Sequence, residues 1–98
     1  MPLKEWKSFF APGFELLVRR HTRFGRLNEF AVVLVYYGEG ITRYDNEHDV
    51  PHRDVLGRKS GLIKKVWYET MSNEEAFEHA INDLKENCER YLALYEAN

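Results

Sequence analysis

A chain of 98 residues and 11.7 kDa, 44% hydrophobic and 14% aromatic, is long enough for one core and too short for two. That apolar content excludes global disorder, the single cysteine, Cys88, excludes an internal disulfide framework, and no apolar run approaches the ~20 residues of a membrane span. The formal net charge of −2, from 14 Lys plus Arg against 16 Asp plus Glu, excludes a strongly basic nucleic-acid binder.

Charge is segregated along the chain. Basic residues gather between Lys4 and Lys65, and the stretch after Glu69 is acidic apart from Lys85 and Arg90. Lys4, Glu5 and Lys7 stand where a signal peptide would need an apolar centre. The expected setting is the reducing cytoplasm, away from membranes.

In chain order, residues 1–12 read as an N-terminal arm. Trp6, Phe9 and Phe10 have helix-like spacing there, and Pro12-Gly13 ends it. Residues 14–23 alternate, with Leu16 and Val18 on one side and Arg19, His21 and Arg23 on the other, which predicts a half-exposed strand. Residues 29–37 are continuously apolar and β-branched, the pattern of a strand buried on both faces. Gly38-Glu39-Gly40 turns the chain into a third strand over 41–45. A fourth follows over 51–56, near an edge because Pro51 lacks an N–H. The turn Gly57–Gly61 leads to a fifth around Val66, Trp67 and Tyr68.

Ser72-Asn73-Glu74-Glu75 matches a capping box. Phe77, Ala80, Ile81, Leu84, Cys88, Tyr91, Leu92 and Tyr95 then recur at a period of 3.6, predicting one helix over 72–96. His79 falls off that stripe, one turn after Glu75, as a surface pair. The predicted fold is a single α+β domain: a five-stranded antiparallel meander over 14–69, covered on one face by the long C-terminal helix. Its second face also carries apolar side chains, so either the arm or a second copy covers it. A homodimer is expected.

Chemistry concentrates in residues 43–54, where Arg43, Tyr44, Asp45, Glu47, His48, Asp49, His52, Arg53 and Asp54 crowd twelve positions. One reading is metal-independent RNA cleavage. Imidazoles titrate near neutrality, so His48 and His52 would exchange protons with the 2′-hydroxyl and the leaving oxygen. Arg43 and Arg53 would bind phosphate, while Asp45 and Asp54 would orient the rings. Arg58 and Lys59, in a basic patch beside Trp67 and Tyr68, are further phosphate-binding candidates. A second reading is a metal site of His48 and His52 with Asp45, Asp49 or Asp54. Pro51 argues against the helix that an i, i+4 histidine pair favours, and no metal or other cofactor is expected. A third reading is structural, with Asp45-Asn46 as turn residues and the charges as cross-strand pairs. Nucleophilic catalysis is rejected, because Cys88 lies on the buried stripe.

The residues Arg43-Tyr44-Asp45-Asn46, His48 and Pro51-His52-Arg53-Asp54 resemble a group of small prokaryotic proteins sharing an RYDxxH…PHRD-like stretch followed by a helix. More loosely, the RYDN stretch and its histidine-rich turn are similar to TumE-like toxins of type II toxin–antitoxin systems. That resemblance implies action on RNA and an antitoxin partner, and Arg53-Asp54 departs from its more basic pattern. The lead expectation is a toxin-like ribonuclease or RNA-binding protein. The alternative is a non-catalytic homodimeric interaction module in which the motif is structural. Two imidazoles facing one open cleft would favour the first.

Overall fold

The computed structural model describes residues 3–98, with His48 described by its backbone alone. Six strands form one antiparallel sheet in sequence order: β1 (Leu3–Ala11), β2 (Phe14–Arg23), β3 (Arg26–Tyr36), β4 (Glu39–Asp45), β5 (His52–Gly57) and β6 (Gly61–Trp67). A single 3₁₀ turn, Glu47–Asp49, links β4 to β5. Two helices follow, α1 (Asn73–Glu86) and α2 (Cys88–Ala97). The expected α+β class and open meander are present.

The strand count is six, not five, because the N-terminal arm is a strand. Glu5 pairs with Arg19, Trp6 with Val18 and Ser8 with Leu16. Trp6 and Phe10 alternate onto the helix side, where Trp6 meets Phe77 edge-on at 6.4 Å and Phe10 stacks on Phe14. The spacing of Trp6 and Phe10 satisfies a period of two as well as a helix, and pairing with β2 selects the strand. The arm therefore extends the sheet in its own plane and does not cover its second face.

The hairpin from β3 to β4 is set by a two-residue loop. Tyr36 pairs with Glu39, and between them Tyr37 and Gly38 have φ of 44° and 84°. Two successive positive φ values match the twist of the flanking strands, and glycine supplies one of them without steric cost.

The C-terminal stripe packs as expected. Leu16, Val18, Phe30, Val32, Leu34, Ile41 and Tyr44 meet Ala76, Ala80, Leu84, Cys88 and Tyr91 in one core. Burying each leucine here stabilises the fold by about 1.5–3 kcal/mol. The capping box is formed, with Ser72 Oγ accepting from the Glu75 N–H at 3.1 Å and Glu75 Oε1 accepting from the Ser72 N–H at 2.9 Å. The single expected helix is broken at Asn87, whose backbone leaves helical geometry (φ −115°, ψ 20°). Its amide donates to the Asp83 carbonyl at 3.2 Å and to Asp83 Oδ1 at 2.8 Å, the local bonding by which asparagine competes with a helix.

Candidate functional site

Strand alternation divides the crowded segment between the two faces of the sheet. Asp45 pairs with His52, Arg43 with Asp54, Asp54 with Lys65 and His52 with Trp67. Paired residues share a face. Arg43, Asp45, His52, Asp54, Lys65 and Trp67 thus stand together on the face away from the helices. Tyr44 and Arg53, paired with each other, point to the helix side.

On the first face the charges form one network. The Arg43 guanidinium grips Asp45 Oδ2 through Nε at 2.7 Å and a terminal nitrogen at 2.6 Å. Its Nε also lies 3.7 Å from Asp54 Oδ2. Lys65 Nζ donates to Asp54 Oδ1 at 2.8 Å. Between the two carboxylates sits His52, 1% exposed, with Nε2 3.0 Å from Asp45 Oδ1 and 3.6 Å from Asp54 Oδ1. Its Nδ1 meets the Val50 carbonyl at 3.0 Å, and the Trp67 ring tilts over it at 4.8 Å. The Glu47 N–H donates to Asp45 Oδ1 at 3.0 Å.

Burial alone would lower the Arg43 guanidinium, but the hydrogen bond and charge of Asp45, with Asp54 and Glu47 nearby, hold it above its ordinary value. The hydrogen bond to Asp54 and the charges of Asp45 and Glu47 likewise raise the Lys65 ammonium. Both cations stay charged at any physiological pH. Among the described residues, atoms that could hold a metal ion are His52 Nε2 and one oxygen each of Asp45 and Asp54, all within 4.8 Å of one another.

On the helix side, Tyr44 and Tyr91 donate their hydroxyls to Asp83 Oδ2 at 2.6 and 2.5 Å. The Tyr68 hydroxyl lies 3.2 Å from that of Tyr44. Burial and then Asp83 push both phenols above their ordinary range, so these tyrosines stay neutral donors. Arg53 stacks on the Tyr91 ring at 4.6 Å and reaches Thr42 Oγ1 at 3.4 Å. His79 is not a free surface residue: its ring packs against Tyr44 at 5.8 Å and Tyr68 at 5.5 Å.

The structure therefore brings together Arg43, Asp45, His52 and Asp54 and separates Arg53 from them. Arg58 lies beyond β5, bonded to Glu39 at 3.2 Å and stacked over Tyr95, with Lys59 exposed beside it in the β5–β6 turn. The side chain of His48 lies outside the described residues, so its expected pairing with His52 does too. Lys65 and Trp67 are hidden from a reading of the sequence because a cross-strand register, not chain proximity, brings them in. Asp83, on the helix stripe's polar flank, is hidden for the same reason.

Beside the network, a cleft of about 350 Å³ opens between β2, β3 and the turn after β4. Among the described residues, Arg19, His21 and Arg43 line it, as do Glu29, Asp45, Glu47 and Asp49, so acids outnumber bases there. Among the described residues, no helix is long and apolar enough to cross a membrane.

No match to the chain is found among curated proteins or among solved structures. One family model matches residues 1–98, and the chain belongs to that family, described as "Domain of unknown function (DUF7718)".

Proposed function

We propose that the protein is a homodimeric, non-catalytic interaction module in which the RYDNEH…PHRD segment is an internal latch and the uncovered sheet face is the contact surface. The burial of His52 carries this reading. Its ring is 1% exposed, with both nitrogens directed at groups of the same chain. An acid–base role on RNA requires the imidazole to come within hydrogen-bond reach of a solvent-borne phosphodiester. That access is absent at His52. Among its described lining residues the neighbouring cleft has more carboxylates than cations, which disfavours a phosphate there.

The uncovered face supplies the contact. Leu17, Ala31 and Val33 form a half-buried apolar floor across β2 and β3, with Glu5, Lys7 and Arg19 around it. Of the two covers expected for this face, the arm runs in the plane of the sheet as β1, which supports the reading that a second copy covers it. A patch carrying both charge signs around an apolar centre suits an isologous contact, in which each group meets its counterpart across a two-fold axis. The molecule measures 41 by 26 Å across its two longer dimensions, room for the roughly 800 Å² per partner of a stable interface.

Sedimentation equilibrium tests the proposal. The wild type is expected at twice 11.7 kDa, and Val33→Lys at 11.7 kDa with an unchanged circular dichroism spectrum. A monomeric wild type up to sub-millimolar concentration refutes the dimer. RNA cleavage by purified wild type, abolished in His52→Asn, refutes the non-catalytic reading.

A further inference from the structure

Three possible ligand atoms converge inside the latch, His52 Nε2 and one oxygen each of Asp45 and Asp54. The Val50 carbonyl can only accept, so His52 Nδ1, 3.0 Å away, is the protonated nitrogen. In the neutral ring Nε2 then carries a lone pair, and it faces Asp45 Oδ1 at 3.0 Å and Asp54 Oδ1 at 3.6 Å. Such a set in a buried space requires positive charge between its members. Lys65 supplies it: its ammonium is 2.8 Å from Asp54 Oδ1 and 3.4 Å from His52 Nε2.

We propose that Asp45, His52 and Asp54 bind one divalent zinc-type cation, and that the Lys65 ammonium holds its place until the metal displaces it. Zinc bonds of about 2.0–2.2 Å in a tetrahedron set neighbouring ligand atoms about 3.3 Å apart. The two separations from His52 Nε2, 3.0 and 3.6 Å, bracket that value, and all three ligand atoms lie within 4.8 Å of one another. The ligands are also held in advance. The Val50 carbonyl fixes the ring's tautomer and orientation, as carbonyls do behind metal-bound histidines. Arg43 grips Asp45 Oδ2 from outside, leaving Oδ1 turned towards His52. One nitrogen and two oxygens suit Zn²⁺ better than Ca²⁺ or Mg²⁺, which prefer all-oxygen shells. Lys65 is a displaceable occupant because its side chain is one-third exposed, at 33%, and can swing into solvent, whereas His52 cannot.

Calorimetric titration with Zn²⁺ alone, backed by the visible absorption of the Co²⁺-loaded chain, tests the assignment. The wild type is expected to bind one ion per chain. Lys65→Met, which removes the competing ammonium, binds it about tenfold tighter, and Asp54→Asn and His52→Asn each bind it at least tenfold more weakly. The Co²⁺ spectrum reports a nitrogen- and oxygen-ligated low-coordinate ion in wild type and Lys65→Met. Asp54→Asn keeps the fold testable if the histidine variant does not fold. Absence of binding in both wild type and Lys65→Met overturns the proposal. So does Zn²⁺ affinity unchanged by Asp54→Asn, which places the ion elsewhere.

Discussion

Replacing Asp83 with asparagine removes a charge that fastens the motif's tyrosine to the helix. In the wild type, Asp83 Oδ2 accepts from Tyr44 at 2.6 Å and Tyr91 at 2.5 Å, and Oδ1 accepts from Asn87 at 2.8 Å. Hydrogen bonds to a charged acceptor contribute about 1.5–3 kcal/mol each and neutral ones about 0.5–1.5. Two hydroxyl bonds demoted from the first kind to the second lose about 1 kcal/mol apiece. An asparagine –NH₂ in place of either oxygen also confronts a donor. The expected destabilisation is about 2 kcal/mol at neutral pH, the lower end because Asp83 is only half-buried. In a domain of this size that lowers Tm by roughly 8–16 °C. The pH dependence is specific. Burial alone would raise the Asp83 carboxyl, but the bonds from Tyr44, Tyr91 and Asn87 and the nearby His79 outweigh it and hold it below its ordinary value. A carboxyl lowered by folding contributes fully above its unfolded pKa, about 3.9, and loses that contribution as pH falls through the lower folded value. Urea denaturation at pH 7 and again below pH 4 should show the gap between wild type and Asp83→Asn narrow in acid. A difference under about 0.5 kcal/mol at pH 7, or one independent of pH, refutes the reasoning.

Other expectations follow from the core and the caps. Leu84→Ala, at a position with 0% exposure under the sheet, should cost about 3 kcal/mol by denaturant titration. Ser72→Ala removes the acceptor for the Glu75 N–H and should cost about 1 kcal/mol by the same assay. Cys88 is buried, and that burial pushes its thiol up, so a thiol reagent at pH 8 should label the native chain roughly 100-fold more slowly than the urea-unfolded chain.

Much of this architecture is legible in the sequence, and the exceptions share a cause. The stripe from Phe77 to Tyr95 and the Ser72–Glu75 cap specify a helix on one sheet face, because periodicity and capping are local signals. The break at Asn87 is invisible to that pattern: the apolar spacing runs through it, and only the amide bonds to Asp83 reveal the turn. β1 is obscured because Trp6, Phe9 and Phe10 satisfy a helix, while Trp6, Ser8 and Phe10 equally satisfy a strand that needs β2 beside it. The candidate site follows the same rule. Alternation alone places Arg43 and Asp45 on one face and Tyr44 on the other, so half of the crowding is dispersed before any contact is considered. The pairing of Asp45 with His52 depends on the turn Asn46–Pro51, whose buried Asn46 accepts from the Phe30 N–H at 3.1 Å and donates to the Asn28 carbonyl at 2.8 Å. Nothing near Asn46 in the chain announces those two distant partners. Lys65 and Trp67 enter the network through register in the same way.

Pairing of the open sheet face with a second copy has a direct signature in small-angle X-ray scattering. The chain has a Cα radius of gyration of 13.2 Å and a shortest dimension of 19 Å. Stacking two copies face to face along that dimension, with half the separation added in quadrature, gives roughly 16 Å, whereas joining them by sheet edges along the wider dimensions gives roughly 18 Å or more. The expected radius is roughly 16 Å for the wild type at the sub-millimolar concentrations where it is dimeric, falling to the single chain's 13.2 Å in Val33→Lys. A wild-type radius of 13.2 Å, or one of roughly 18 Å or more that Val33→Lys leaves unchanged, would overturn the face-to-face dimer.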